Sequence, residues 1–238
     1  TISYTLANTA ISTSETITVV AGAANKLAVT RAAAGAVNTV NFTAQPQITV
    51  QDVSGNTVTT STASITAAVT GPTLGGTATV AATAGVLNFS GLKLTGTIGT
   101  YTITYTSTGL TSTSQSIDIT VGAAAKVALV RPAAGFVNRV AFSTQPVVEI
   151  QDVSGNKIAT ATDTVTVSVS TGATVDGLSS AASAMGANDW SSVSTANQLS
   201  LRGAVGTYTI TYAVAGLTSA TQSVTLTHGA ATQLSVHT

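Results

Sequence analysis

Large hydrophobic residues alternate with threonine along the segment TYTITY, in which Tyr101, Ile103 and Tyr105 occupy every second position. Successive side chains of a β-strand point to opposite faces, so this pattern places the three large residues on one face and the threonines on the other. The same alternation returns at residues 207–212 and, in part, at residues 2–4. It predicts antiparallel strands with one face on a hydrophobic core.

Further strand signals can be placed in order along the first hundred or so residues. They are short apolar or β-branched segments separated by turn residues, namely KLAVTR, PQITVQD, SITAAVT, a variable region ATVAATAGVLNF, LKLTG, TYTITYT and SQSIDITV. Seven short strands in a unit of about 100 residues are the size and pattern of an immunoglobulin-like sandwich. The predicted fold class is therefore all-β, with tandem immunoglobulin-like antiparallel β-sandwiches of about seven strands each.

Internal repeats set the organisation of the chain. Residues 22–56 and 122–156 are identical at 21 of 35 positions at an offset of 100. Residues 99–121 match residues 206–228 at an offset of 107, so the second copy carries a seven-residue insertion. This level of identity indicates duplication of one unit.

The repeats predict four segments. Residues 22–121 and 122–228 are each expected to be one Ig-like repeat, the second with a longer variable loop. Residues 1–21 resemble the end of the unit and are expected to supply the last two strands of a preceding repeat. Residues 229–238 resemble its beginning and are expected to supply the first strand of a following repeat.

The segment Asp-Val-Ser-Gly-Asn occurs in both repeats, beginning at Asp52 and at Asp152. An aspartate at the first position of a turn can accept backbone hydrogen bonds, and a glycine three positions later can adopt the left-handed conformation. The segment therefore predicts a type I turn with a bulge. Calcium binding by the two aspartates is disfavoured, because each segment has one carboxylate and a good site needs about six to eight oxygen ligands.

Composition and charge exclude several classes of function. Eight basic and eight acidic residues give no net charge, so nucleic acid is not an expected partner. The absence of cysteine excludes disulfides, thiolate metal sites and cysteine nucleophiles. No apolar run approaches the roughly 20 residues of a membrane-spanning helix, so membrane insertion is not expected either.

The residue patterns that usually carry catalysis are also missing from the sequence. There is no Gly-x-Ser-x-Gly elbow, no pair of carboxylates that recurs in both repeats and no glycine-rich phosphate loop with a lysine. The two histidines, His228 and His237, have no equivalents in the first repeat. We therefore expect a protein that is not an enzyme and that has no cofactor and no metal site.

One segment departs from the repeat pattern. Residues 171–198 include the insertion and the chain's single methionine and single tryptophan, Met185 and Trp190. An irregular loop that carries Asn188, Asp189 and Trp190 on a rigid sandwich is a candidate ligand-binding surface. The alternative is that Trp190 caps the end of the core or packs on a neighbouring unit, and this alternative is favoured because single aromatic residues more often pack than bind.

The motifs GAAxKLAV, QPxxxxQDxSGN and GTYTITYxxxGLTS together cover nearly the whole chain. In this combination the chain resembles the tandem bacterial Ig-like repeats of large surface proteins, such as invasin-like adhesins and some S-layer proteins. The resemblance implies export to the cell surface and structural or adhesive work without catalysis. It does not imply a particular ligand.

Two functional hypotheses follow. The first is a non-catalytic structural repeat of an extracellular surface array, filament or adhesin stalk, whose partners are neighbouring repeats or identical subunits in lateral or head-to-tail contact, by self-assembly. The second is a carbohydrate-binding or receptor-binding Ig-like module that uses the loop at residues 171–198, with glycans as partners.

Overall fold

The alternating segments form antiparallel strands in a computed structural model of the chain, which describes residues 1–7 and 10–231. In the strand Gly99–Thr106, Ile103 and Tyr105 are fully buried and Thr102 is exposed. The equivalent strand of the second repeat, Gly206–Ala213, has the same alternation of buried and exposed positions. The two-residue period predicted from the sequence is confirmed.

Short strands alternate with turns along the described chain. Before Gly122 they are β1 (Ile2–Thr5), β2 (Ser12–Glu15), β3 (Lys26–Arg31), β4 (Ala36–Val37), β5 (Gln47–Gln51), β6 (Ser64–Val69), β7 (Thr73–Gly75), β8 (Thr79–Ala81), β9 (Val86–Asn88), β10 (Lys93–Thr95), β11 (Gly99–Thr106) and β12 (Thr113–Thr120). After it they are β13 (Lys126–Arg131), β14 (Val147–Gln151), β15 (Thr164–Val169), β16 (Ala173–Asp176), β17 (Ser180–Ala182), β18 (Ala187–Asp189), β19 (Ser200–Gly203), β20 (Gly206–Ala213) and β21 (Ala220–Leu226), with 3-10 turns at Trp190–Ser192 and Thr195–Asn197.

The chain divides into two compact units. The first comprises Thr1–Ala36, Asn41–Leu94 and Thr100–Asp118, and the second comprises Val37–Val40, Thr95–Gly99 and Ile119–Thr238. Two short segments from the first sequence repeat therefore belong to the second compact unit. Both segments contact a turn of the second repeat within that unit.

The first unit is an Ig-like antiparallel sandwich. One sheet has the order β3-β5-β9 and the other the order β4-β12-β11-β6-β8, with a two-stranded ribbon of β10 and β7 beside them. Buried residues come from both sheets, for example Ile48 and Val50 from one and Ile65, Ile103 and Tyr105 from the other.

The second unit repeats this plan. Its sheets have the orders β13-β14-β18 and β17-β15-β20-β21, and β16 pairs with β19. The core cluster includes inward-facing residues of both sheets, namely Val127, Val148, Ile150, Val165, Val167, Ile210, Tyr212, Val224 and Leu226. The fold class predicted from the sequence, tandem Ig-like antiparallel sandwiches, is that of the structure.

The structure also differs from the strand prediction in detail. Strands β4 and β7 have only two or three residues, too few for an alternating pattern to be visible in the sequence. Residues 171–198 were expected to form an irregular loop, and this expectation is wrong. Most of the segment forms β16, β17, β18 and the two 3-10 turns.

The segments outside the two full repeats are described only in part. Strands β1 and β2 pair as an antiparallel hairpin with Ile2 opposite Glu15, and all their side chains are exposed. The strand expected in residues 229–238 falls largely on residues 232–238, which lie outside the described residues. The assignment of both segments to neighbouring repeats stays a prediction. No helix among the described residues is long and apolar enough to span a membrane.

The alternation on β11 gives a direct stability test. Ile103→Ala empties a fully buried position and should lower the free energy of unfolding by about 2–5 kcal/mol. Thr102→Ala, on the exposed face of the same strand, should cost less than about 1 kcal/mol. Urea unfolding measures both values, and equal costs would contradict the assignment of the two faces.

Candidate functional site

The residues predicted to bind a ligand lie at the end of β18. This strand pairs with β14, with Asn188 opposite Val148 and Asp189 opposite Val147. Trp190 follows directly and is 1% exposed. Its indole N–H donates to the carbonyl of Leu178 at 2.8 Å, so its one polar atom is satisfied within the fold.

Trp190 occupies the position that Phe89 occupies in the first repeat. Phe89 follows β9 and lies with its ring centre 5.6 Å from that of Tyr105, and Trp190 follows β18 and lies 6.2 Å from Tyr212. The backbone confirms the equivalence. The N–H of Phe89 donates to the carbonyl of Pro46, which precedes β5, and the N–H of Trp190 donates to the carbonyl of Pro146, which precedes β14. The tryptophan is thus a core residue, consistent with the packing alternative.

The position of Trp190 also locates most of the insertion. Phe89 and Leu92 are separated by two residues, whereas Trp190 and Leu199 are separated by eight. Leu92 and Leu199 are equivalent, because their carbonyls accept the N–H of Phe42 and Phe142 respectively. Six inserted residues therefore lie within residues 191–198, after the predicted binding residues rather than among them.

The side chain of Asn188 is also used internally. It is 6% exposed, its amide nitrogen donates to the carbonyls of Ala181 and Ala182 at 3.1 Å, and its amide oxygen accepts from the hydroxyl of Ser183 at 2.8 Å. These bonds join β17 to β18 and leave no donor of this amide directed at solvent.

Asp189 is the exposed member of the predicted group. It forms an ion pair with Arg131 at 2.6 Å and accepts from the backbone N–H and hydroxyl of Ser191. Partial burial would by itself raise the pKa of Asp189, but the hydrogen bonds from Ser191 and the charge of Arg131 lower it from its ordinary value. The three predicted residues are adjacent, and only Asp189 presents its side chain to solvent.

A cleft of about 250 Å³ lies beside these residues. Its lining includes four alanines, among them Ala184, together with Asn188, Asp189 and Trp190. The aromatic face that would stack on a sugar ring is covered, because Trp190 is buried. Ligand binding here stays a hypothesis.

The two Asp-Val-Ser-Gly-Asn segments form the predicted turn. In each, the glycine N–H donates to the carbonyl of the aspartate at 3.1 Å, and the aspartate N–H donates to the carbonyl of the final asparagine at 2.9 Å. The glycines Gly55 and Gly155 have φ of 91° and 89°, a conformation that L side chains resist. The turn and bulge predicted from the sequence are confirmed.

The carboxylate of Asp152 reaches well beyond its own turn. It is 1% exposed, and its Oδ2 accepts from the side-chain amide of Asn38 at 2.7 Å, from the backbone N–H of Gly122 at 3.0 Å and from the side chain of Asn156 at 2.9 Å. Its Oδ1 accepts from the backbone N–H groups of Ser154 and Asn156. We name the group Asn38, Gly122, Asp152, Ser154 and Asn156 the Asp152 clasp.

Asn156 extends the clasp to residues 95–99 of the same compact unit. Its side-chain nitrogen donates to the carbonyl of Gly96 and its side-chain oxygen accepts the N–H of Ile98, both at 2.9 Å. Asn38 completes the ring, because its Oδ1 accepts the N–H of Gly96 at 3.0 Å. These three hydrogen bonds pair side-chain atoms of Asn38 and Asn156 with backbone groups of Gly96 and Ile98.

These hydrogen bonds keep the carboxylate ionised. Burial would raise the pKa of Asp152, but the hydrogen bonds from Asn156, Gly122 and Asn38 outweigh it and lower the pKa from 3.8 to about 2. The equivalent Asp52 accepts from Asn56 and from the N–H of Gly22, and these bonds lower its pKa to about 2 as well. In both turns the aspartate acts as an acceptor for backbone and amide groups.

The clasp was not predicted from the sequence, because the turn was taken to make only local contacts. A signal was nevertheless present, since Gly22 and Gly122 each precede the aspartate they bind by 30 residues and each belongs to the repeated segment. Within the described part of the chain, no group of three or more histidine, aspartate or glutamate residues is arranged to hold a metal ion.

Comparison with known proteins gives structural likeness alone. No family model matches the chain, and no curated protein does. Solved structures that are similar include domains 5–6 of the S-layer protein SbsC (18% identity, 87% of this chain and 99% of that one, TM-score 0.32) and the Escherichia coli adhesin FdeC (15%, 87% and 65%, 0.38). A β-glycosidase from Bacteroides vulgatus is also similar (12%, 86% and 25%, 0.35), and this chain spans a quarter of its length. At these identities and TM-scores the likeness carries no argument about function.

The pKa of Asp152 predicts sensitivity to acid. Its folded-state value of about 2 lies below its ordinary value of 3.8, so the unfolded chain binds more protons between these two values. The stabilisation is complete above about pH 4 and should be lost as the pH falls from 3.8 towards 2. Thermal melting from pH 5 to pH 2 measures the loss, and Asp152→Asn should reduce its steepness, whereas Asp163→Asn at an exposed position should not.

The packing of Trp190 predicts a large stability effect. Trp190→Ala should lower the free energy of unfolding by about 3–5 kcal/mol, because it opens a cavity against Tyr212. Met185→Ala, at a residue 76% exposed in the same segment, should change it by less than about 0.5 kcal/mol. If the two substitutions had equal effects in urea unfolding, the core position of Trp190 would be wrong.

Proposed function

We propose that the chain is a non-catalytic structural module of an extracellular surface array, filament or adhesin stalk. The observation that carries the proposal concerns the buried and half-buried polar side chains that recur in both repeats. They bind backbone groups of their own fold, as the Asp152 clasp does. Residues kept in both copies for this purpose maintain the architecture of a repeat.

Gln45 and Gln145 are the clearest pair. The side-chain nitrogen of Gln45 donates to the carbonyls of Phe42 and Leu92, and its oxygen accepts the N–H of Leu92 at 2.9 Å. Gln145 makes the same three bonds to the equivalent residues of the second repeat, also with 2.9 Å to the accepted N–H. Each glutamine therefore links two backbone segments of its own repeat.

A second pair joins the last strand of each sandwich to the segment after its first strand. Gln115 accepts the N–H of Ala33 at 3.1 Å, and Gln222 accepts the N–H of Ala133 at 3.0 Å. Both glutamines also donate to the carbonyl of the same alanine. The polar residues that recur in both repeats therefore form hydrogen bonds to the backbone. We expect this of a module whose repeated function is structural rather than catalytic.

The partners that fit this role are neighbouring repeats or identical subunits, in lateral or head-to-tail contact. Apolar residues at the tips of the two turns, Val53 and Val153, are 76% and 61% exposed and offer contact area for such partners. The repeat motifs shared with large bacterial surface proteins support an extracellular position.

The rival role is carbohydrate or receptor binding at the cleft beside Asn188, Asp189 and Trp190. The cleft itself is the observation in its favour. Against it, two of the three side chains are buried and already hydrogen-bonded within the fold. We therefore place the structural role first.

Location on the cell surface is the direct test of the proposal. Immunogold labelling of intact native cells with antibodies to this chain should give surface labelling, ordered if the chain belongs to an array. A cytoplasmic protein of the same cells, labelled only after permeabilisation, is the control. Labelling that requires permeabilisation would contradict the proposal.

The rival is tested by glycan-array binding of the purified chain. Ala184→Arg at the exposed rim of the cleft blocks it without removing a core side chain, and Thr225→Arg on the exposed face of β21 is the matched control. If the role is structural, the chain should show no glycan binding that is lost in Ala184→Arg but kept in Thr225→Arg. Saturable binding lost in Ala184→Arg and kept in Thr225→Arg would establish the rival.

A further inference from the structure

A second cleft lies in the second compact unit, at the position equivalent to one half of the Asp152 clasp. It measures about 430 Å³ and is lined by Asn138, Arg139, Val140, Gly229 and Ala230. In the repeat alignment these residues correspond to Asn38, Thr39, Val40, Gly122 and Ala123. Two of those counterparts, Asn38 and Gly122, bind the carboxylate of Asp152.

The backbone around this cleft repeats that of the clasp. A Cβ built on Gly122 would lie 2.8 Å from the carbonyl oxygen of Asn38, and one built on Gly229 would lie 2.6 Å from that of Asn138. Each glycine therefore passes close to the backbone of the equivalent asparagine. The side-chain oxygen of Asn138 accepts the N–H of Gly203, as that of Asn38 accepts the N–H of Gly96.

One hydrogen bond distinguishes the two places. The side-chain nitrogen of Asn138 donates to the carbonyl of Gly203 at 3.0 Å. In the clasp the equivalent carbonyl, that of Gly96, accepts from Asn156, and the side-chain nitrogen of Asn38 is directed instead to the carboxylate of Asp152. The asparagine side chain and the glycine backbone of the clasp thus have counterparts at the cleft. There the asparagine nitrogen bonds to the glycine carbonyl instead of to a carboxylate.

In the described part of the chain, the turn at Asp52 shows the same aspartate turn without a preceding repeat bound to its asparagine. Its aspartate binds Gly22 and Asn56 as Asp152 binds Gly122 and Asn156. Yet Asn56 is exposed, whereas Asn156 is 6% exposed beneath residues 95–99. A turn of this sequence therefore exposes the side-chain amide of its asparagine, while its aspartate, 4% exposed, already accepts hydrogen bonds from its own repeat as Asp152 does.

We propose that the cleft at Asn138 binds an Asp-Val-Ser-Gly-Asn turn of a further repeat of this same kind. On binding, the side-chain nitrogen of Asn138 moves from the carbonyl of Gly203 to the incoming carboxylate. The asparagine of the turn takes over that carbonyl. Arg139, exposed where the first repeat has Thr39, adds a positive charge beside the carboxylate. The inference rests on the proposed function as a repeat module and specifies its head-to-tail contact.

The test supplies the turn in a defined position. The full chain is lengthened after Thr238 by a copy of residues 32–121, so that residues 229–238 run on into a repeat carrying a copy of the Asp52 turn. The side-chain amide of Asn138 and the backbone amide of Gly203 are then followed by ¹⁵N NMR. Asn38 in the same molecule, already bonded to Asp152, is the internal reference.

The expected result is that the side-chain amide protons of Asn138 shift towards those of Asn38 and exchange with solvent at least about tenfold more slowly than in the chain of 238 residues. An aspartate-to-asparagine change in the copied turn should reverse both effects. The same change at the copy of Asp118, which is exposed, should reverse neither. Unchanged Asn138 signals beside a folded added repeat would overturn the proposal, as would shifts that persist when the copied turn lacks its aspartate.

A double-mutant cycle gives an independent readout. Asn138→Ala and the change in the copied aspartate should be non-additive, with a coupling of at least threefold in the unfolding equilibrium constant, and additivity would overturn the proposal. If the added copy fails to fold, a copy of residues 132–228 carrying the Asp152 turn replaces it. Failure of either readout would leave surface labelling of cells unaffected, so the two proposals fail separately.

Discussion

The buried carboxylate of Asp152 organises the second compact unit around one point. It binds its own turn, the backbone of Gly122 and the side chain of Asn38, which is 114 residues away in sequence. Burying a charge costs free energy unless hydrogen bonds stabilise it. Here the hydrogen bonds to the carboxylate outweigh the cost of burial, so the pKa of Asp152 is lowered. The short segments 37–40 and 95–99 belong to this unit by contact, although the sequence repeat assigns them to the preceding copy.

Other polar side chains in the fold are likewise hydrogen-bonded to the backbone. Gln45 and Gln145 each link two backbone segments of their own repeat, and Asn188 joins β17 to β18. In a chain with 7% charged residues, these amides and two turn carboxylates satisfy backbone groups that short strands leave without ladder partners. Side chains that hydrogen-bond the backbone in this way are not free to contact a substrate, and this is the basis of the structural role proposed above.

The strands could be predicted well from the sequence, because the two-residue alternation at Ile103 and Tyr105 reflects a face of the sheet that must be buried. It also located the turns at Gly55 and Gly155, since their conformation depends on local chemistry. The partners of Asp152 were not predictable in this way, because Asn38 is brought to it only by tertiary structure. Packing of Trp190 was favoured from the sequence, but its equivalence to Phe89 was not recognised, since six inserted residues after it obscured the alignment.

The hydrogen-exchange rate of the Gly122 amide tests the central claim most directly, because this N–H donates to the Asp152 carboxylate at 3.0 Å. The account predicts exchange at least about a hundredfold slower than in an unfolded chain, accelerated in Asp152→Asn while the amides of β20 remain protected. Exchange of Gly122 at the unfolded-chain rate in the unsubstituted protein, or protection that survives Asp152→Asn unchanged, would contradict it.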